Sequence, residues 1–208
     1  MKDVPKAIVV GSFNRAKAAE IAGLLRETGV PVRPLSDFPG VSAVPEDGRT
    51  FAENARLKAL GLIAQLPHDE LLGVLAEDSG LEVDALGGRP GIYSARYVSD
   101  TATDPERVGC LLAELRGVHA TTRAGRFRCH LVLAGADRIF LEADGVVEGR
   151  IAHASAGDFG FGYDPIFIPH GYDRTFAELG PEVKHRISHR AVALREFRKA
   201  LAQFIREL

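Results

Sequence analysis

With 208 residues, 46% of them apolar, the chain can bury a full core as one domain, or as two lobes sharing one sheet, and nothing marks a second independent domain. A formal net charge of -2 with both signs mixed throughout excludes a global basic field for nucleic acid or an anionic membrane, so any anion site must be local. Two cysteines, Cys110 and Cys129, are too few for a disulfide framework and sit in core-like surroundings, which fits a reducing cytoplasm best.

Met1 to Val10 holds one short apolar run and reads as neither a signal peptide nor a membrane span. Within it, Ala7-Ile8-Val9-Val10 is strand-like. Gly11-Ser12-Phe13-Asn14 then turns the chain into a helix whose apolar Ile21, Leu24 and Leu25 recur at helical spacing until Gly29. Ser12, Asn14, the free N–H groups of the helix start and Lys17 make a plausible phosphate cradle, although the G-x-x-x-x-G-K-[ST] spacing of a Walker loop is absent. The plainer reading makes Asn14 an N-cap and Lys17 a solvated lysine. Val30 to Pro34 reads as a second strand, and a loop rich in Pro, Gly and Ser ends in Pro45-Glu46-Asp47-Gly48. Thr50-Phe51-Ala52-Glu53 is a capping box that opens a helix to about Leu66, stopped by Pro67. Ala55, Ala59, Leu62, Ile63 and Leu66 supply its buried face, while Asn54 and Lys58 share the polar one.

Leu71-Leu72-Gly73-Val74-Leu75-Ala76 is a short apolar run that reads as a buried strand, ending at Glu77 and Asp78 before Ser79-Gly80. The acids are expected where the strand leaves the core. In open α/β folds ligands collect at the carboxyl ends of strands, so this pair could hold a metal or a water, or could be a solvated turn. Gly87 to Tyr97 reads as an irregular ordered loop anchored by Ile92, Tyr93 and Tyr97, and Asp104-Pro105 as the N-cap and first residue of a helix through about Leu115. Arg126 to Ala134 and Arg138 to Ala143 flank Gly135-Ala136-Asp137 as a hairpin, with Val146, Val147 and Ile151 continuing the sheet. Gly157-Asp158-Phe159-Gly160-Phe161-Gly162-Tyr163-Asp164 alternates glycines with aromatics, which suits either a stacking platform for a purine base or a glycine-kinked core strand. Lys184-His185-Arg186-Ile187-Ser188-His189-Arg190 precedes a helix carrying Leu194, Phe197, Leu201, Phe204 and Ile205, with Ser188 as N-cap. His185 and His189 lack the H-E-x-x-H context of a zinc pair.

The stretches Ser12-x-Asn14-x-x-Lys17, Thr50-Phe51-x-Glu53-Asn54-Ala55-x-x-Lys58-Ala59, Asp78-Ser79-Gly80-Leu81, Pro90 to Tyr97, Gly160 to Phe167 and Ile187-Ser188-His189-Arg190, in this order and spanning nearly the whole chain, resemble the inosine/xanthosine triphosphate pyrophosphatase family. The resemblance implies an elongated, two-lobed α/β fold on a long mixed sheet with flanking helices and a central nucleotide-binding cleft. It implies a homodimeric, Mg²⁺-dependent enzyme that cleaves ITP, dITP and XTP to the monophosphate and pyrophosphate. On this likeness Asp78 and Glu46 hold Mg²⁺, and Asp78, as base or metal-linked water activator, acts with Glu77 beside it and with Lys58. Ser12, Asn14, Lys17, Lys58, Ser79 and Lys184 are expected on the substrate, with the base stacked on Phe161 near Gly162 and Tyr163 and read by Asp164, Ser188, His189 and Arg190.

Independent chemistry agrees with that assignment. A triphosphate carries about four negative charges and needs several cations plus a hard metal with oxygen ligands. A 6-oxo purine accepts a hydrogen bond where adenine donates one, so a donor such as Arg190 or His189 placed there rejects adenine. The chain departs from the family at Glu77, where Asp is common, at Ala191, where Gly is usual, and at Phe159-Gly160, a second Phe-Gly pair that offers a competing ring. Rival readings are a pyrophosphatase of standard or pyrimidine triphosphates, and a nucleotide-binding regulator without turnover, against which Asp78 and the three lysines argue.

Overall fold

The structure, a computed structural model, describes residues 6–207, so Met1 to Pro5 and their part of the N-terminal stretch lie outside the described residues. Strands are β1 (Ala7–Val10), β2 (Val32–Pro34), β3 (Leu71–Val83), β4 (Ala124–Ala134), β5 (Ile139–Ile151) and β6 (Phe167–Pro169). Helices are α1 (Arg15–Leu25), α2 (Phe51–Ile63), α3 (Asp104–Glu114), α4 (Phe176–Ile187) and α5 (His189–Arg206). The six strands pair in the order β2-β1-β3-β4-β5-β6. β1 runs parallel to β2 and β3, and β5 antiparallel to β6, so the sheet is mixed. Among the described residues no helix is long and apolar enough to cross a membrane.

The chain divides into two compact units: Met1–Asp78 with Cys129–Gly145 and Ala193–Leu208, and Ser79–Arg128 with Val146–Val192. In the first, alternation along β1 sends Ala7 and Val9 to one face and Ile8 and Val10 to the other. The first face packs against Ala55, Ala59, Leu62 and Ile63 of α2; the second packs against Ile21 and Leu25 of α1 and Leu194, Phe197 and Leu201 of α5. Covered on both sides, these strands read as continuous apolar runs. Each fully buried Leu, Ile or Phe stabilises the unit by about 1.5–3 kcal/mol relative to exposure.

The second unit has its own core. Leu81 and Val83 of β3 join Val108 and Leu111 of α3, and Phe127, Phe167 and Phe176 pack ring on ring, with the first two centroids 4.7 Å apart. Arg123 is buried here, donating to the carbonyls of Leu115, Ile151 and Ala152 at 2.8–3.0 Å. Burial lowers its pKa, yet these carbonyls meet its N–H groups.

Several expectations need correction. β3 does not stop at its acids: it continues through Glu77, Asp78 and Ser79 to Val83 because Leu81 and Val83 resume a buried face. The N-cap of α3 is Thr103, closed by a full capping box with Glu106, which places Asp104 inside the helix. Thr50 caps α2 as expected, but Glu53 reaches back to the Arg49 N–H at 2.6 Å. Tyr93 is exposed, whereas Tyr97 packs on the core of the second unit as expected; Ser94 also holds the loop, accepting from Leu81 N–H at 2.9 Å and donating to the Gly91 carbonyl at 2.6 Å. Cys110 is only partly buried, unlike Cys129. Lys184 lies within α4, a helix that local pattern hides because Gly180, at φ 80°, and Pro181 interrupt it. The glycine–aromatic stretch is a series of turns rather than a strand, with β6 starting only at Phe167.

Candidate active site

Glu77 and Asp78 sit mid-strand, 2% and 6% exposed. Adjacent strand residues point to opposite faces, so the two carboxylates meet different neighbours. Glu77 is approached by Lys17 Nζ at 3.2 Å, and it lies 3.4 Å from the Cys129 thiol, which donates to it. Asp78 accepts from the Asn54 amide at 2.9 Å. Burial raises the Asp78 pKa above the ordinary carboxylate range; the Asn54 hydrogen bond and the charges of Lys58 and Lys17 oppose that, and Glu46 adds to it. Asp78 is therefore a carboxylate whose charged form is disfavoured in place.

Helix α2 supplies the facing groups. Lys58, one turn after Asn54, donates to the Glu77 carbonyl at 3.0 Å and pairs with Glu46 at 2.7 Å. Asn54 is completely buried, and its Oδ1 accepts the Gly48 N–H at 2.8 Å, tying the loop that bears Glu46 to the helix. A Cβ at Gly48 would come within 2.7 Å of that Oδ1, so the approach requires glycine. At the start of α1, Asn14 Oδ1 accepts the Lys17 N–H at 3.1 Å and Ser12 Oγ accepts the Asn14 N–H at 3.2 Å. Asn14 is thus an N-cap, and Lys17 is an ion-pair partner rather than a merely solvated lysine. The structure brings Asn14, Lys17, Glu46, Lys58, Glu77 and Asp78 into the first unit.

The second unit holds the aromatic group. Asp164 accepts the Phe161 N–H at 2.9 Å and pairs with Lys184 Nζ at 2.7 Å, both groups being buried. Lys184 Nζ lies 4.2 Å from the Phe161 ring centroid, and the Arg190 guanidinium 5.8 Å from it. Gly160, at φ +83°, makes room for that carboxylate, since a Cβ there would lie 2.1 Å from Asp164 Oδ2. Arg190, 1% exposed, donates to Ser79 Oγ at 3.4 Å. Ser188 Oγ accepts the Ala191 N–H at 3.1 Å and so caps α5, while the His189 ring stacks on Phe127 at 4.8 Å. The Tyr163 ring belongs to the core, with its hydroxyl donating to the Ser94 carbonyl at 3.0 Å. The Gly162 N–H donates to Asp104 at 2.6 Å. Phe159 stands apart, 57% exposed.

The resemblance sets Lys184 on the phosphates; its neighbours here include Asp164 and Phe161. Asn54 shows in the sequence as a neighbour of Lys58 at i, i+4 and as part of the Thr50–Ala59 motif, and neither signal gives its contact with Asp78. Sequence reasoning missed Asp104 as the partner of Gly162, for which no local signal exists.

Comparison with known proteins places this arrangement. The α/β architecture is that of the HAM1 protein from Coxiella burnetii, which superposes with a TM-score of 0.83 at 39% identity, covering 95% of this chain and 99% of that one. The Staphylococcus aureus Ham1 protein gives a TM-score of 0.82 at 37% identity, again covering 95% and 99%. The Ham1 family matches residues 8–200, and the chain belongs to it. A relative from Geobacillus kaustophilus, named dITP/XTP pyrophosphatase, is 46% identical over 91% of each chain.

Proposed function

We propose that this chain is a nucleoside triphosphate pyrophosphatase that converts dITP, ITP and XTP to the monophosphate and pyrophosphate, keeping deaminated purines out of DNA and RNA. The observation that carries the reading is the buried Glu77–Asp78 pair set among Lys17, Lys58 and Asn54. The likeness to proteins named dITP/XTP pyrophosphatase supports the substrate class.

In this proposal water attacks the α-phosphorus, Asp78 takes its proton, and the bond to the leaving pyrophosphate breaks. A carboxylate with a raised pKa is the better base for that transfer. Lys17 and Lys58 neutralise the developing negative charge, and their present pairing with Glu77 and Glu46 keeps both in place until phosphate oxygens arrive. Glu77, holding Lys17, acts beside Asp78 without needing the shorter side chain of aspartate. Ser12 and Asn14 add polar contacts at the start of α1.

The donor set fits Mg²⁺. Asp78 and Glu46 are hard oxygen ligands, and a cation would relieve the unfavourable charge on Asp78. Two carboxylates leave most of an octahedral Mg²⁺ shell to phosphate oxygens and water. When bound, the ion supplies charge neutralisation and in-line orientation of the phosphates.

Phe161 is the proposed stacking ring, since Asp164 holds its backbone and Lys184 and Arg190 stand beside it. Arg190 is donor-only and suits the 6-oxo group, with His189, Ser188 and Ser79 completing the polar set, and the backbone at Gly162 and Tyr163 shaping the turn. We also assign a cytoplasmic location and a homodimeric state, the latter to be checked by light scattering of the purified protein.

Product release from ITP, XTP, dITP, ATP, GTP and dUTP, with and without Mg²⁺, tests the proposal. Magnesium-dependent pyrophosphate from the first three, with little from the others, is the expected result. Pyrophosphate from standard or pyrimidine substrates overturns the specificity, and tight ITP binding without product overturns the enzyme.

A further inference from the structure

We infer that Asn54 is a positioning residue for the reaction, orienting Asp78 and Glu46 together; the inference rests on the function proposed above. The side chain is completely buried on α2 and makes one bond of each kind. Its Oδ1 accepts the Gly48 N–H at 2.8 Å, and its amide nitrogen donates to Asp78 Oδ2 at 2.9 Å. The backbone N–H of Gly48 can only donate, so the atom it meets must be the oxygen, and the nitrogen is thereby turned onto Asp78. A single amide thus fixes one oxygen of Asp78 on β3 and the loop carrying Glu46 two residues before Gly48.

Other residue types fail for stated reasons. Aspartate keeps the acceptor for Gly48 but sets a carboxylate against Asp78. Serine and alanine are too short to span both partners. Glutamine adds a methylene to a side chain that already lies 2.8 Å from the Gly48 nitrogen and 2.9 Å from Asp78 Oδ2, and so cannot keep both bonds from the same backbone position. Lys58 is carried one helical turn further along, so the same helix face presents the neutral positioning group and the cation.

The test uses Asn54→Ala and Asn54→Asp in the full-length protein, alone and combined with Asp78→Asn. The expected result is a kcat for ITP lowered by roughly 10- to 100-fold, with KM raised by no more than the loss of Mg²⁺-dependent affinity measured below, because the interaction acts mainly in the transition state. In the Asp78→Asn background the further loss should be under about 3-fold, since Asn54 acts through Asp78. A second readout is calorimetric affinity for a non-hydrolysable α,β-imido analogue of ITP, with and without Mg²⁺. The gain in affinity that Mg²⁺ brings to the wild type should shrink at least about 5-fold in both variants. Near-normal kcat, or losses that multiply fully with those of Asp78→Asn, overturns the inference. Asn54→Asp preserves size and the Gly48 bond, so it decides the matter even if the alanine variant does not fold. A fully active Asp78→Asn would instead overturn the function proposed above, and so the two failures are distinguishable.

Discussion

The charged set of the first unit and the aromatic set of the second differ in what their carboxylates chiefly hold. In the first, polar side chains hold one another on a scaffold of buried strand and helix: Lys17 pairs with Glu77 and Lys58 with Glu46, while the neutral amide of Asn54 donates to Asp78. In the second, carboxylates hold backbone: Asp164 and Asp104 take the N–H groups of Phe161 and Gly162, and the rings follow from where the turns are pinned. The contrast teaches that damage to the first should strike turnover, whereas damage to the second should strike stability and recognition.

The largest effect is expected from the carboxylate of the aromatic set. Asp164→Asn takes away the carboxylate that Lys184 Nζ meets at 2.7 Å in a buried pair, and should cost about 3–5 kcal/mol of stability, read from the urea midpoint. An unchanged midpoint would remove Asp164 as the pin of the loop. Asp78→Asn should slow pyrophosphate release by about 100-fold or more, equivalent to ~3 kcal/mol of barrier. Stability should move the other way. The Asp78 pKa is raised on folding, so ionising this group opposes folding at neutral pH, and that opposition fades as pH falls toward its unfolded value. The variant should therefore melt no lower than the wild type at neutral pH, with the two curves converging in acid; a markedly lower melting temperature at neutral pH contradicts the argument.

Phe161→Ala should weaken ITP binding by about 1–3 kcal/mol while leaving kcat nearly unchanged. Should KM stay constant while the protein loses stability, the ring is packing rather than platform. The smallest effect belongs to a surface pair in the first unit. Arg56 holds the Glu142 carboxylate through two bonds of 2.9 and 2.7 Å, and chiefly through them lowers its pKa. Because the pair is largely exposed, Arg56→Ala should cost under about 1 kcal/mol. With a depressed folded pKa the contribution is present above the unfolded value and disappears as pH falls through the folded one, so the melting difference should vanish in acid.

Local signals located α1, β1 and the start of α2, because N-caps and apolar spacing act within a few residues of one another, whereas α2 ends at Ile63, before the expected stop at Pro67. They failed at α4, where Gly180 and Pro181 break the pattern although Phe176 and Ala177 still pack. They also failed at β3. An Asp followed by Ser-Gly looks like a turn, and what keeps it extended is Leu81 and Val83 binding to a core made of residues from elsewhere in the chain. The candidate site residues could be named from spacing, yet which of them touch could not be.

What the sequence by itself determined is the order of these motifs, and with them membership in the Ham1 family, since residue type and spacing survive without coordinates. Only the tertiary structure decided that Glu77 and Asp78 lie inside a strand, that Lys184 answers Asp164, and that Asn54 grips both Asp78 and the loop of Glu46. The reason is physical. Asn54 and Asp78 are 24 residues apart, and their contact exists only because the apolar face of α2 is buried against the sheet, a long-range event that no local pattern encodes.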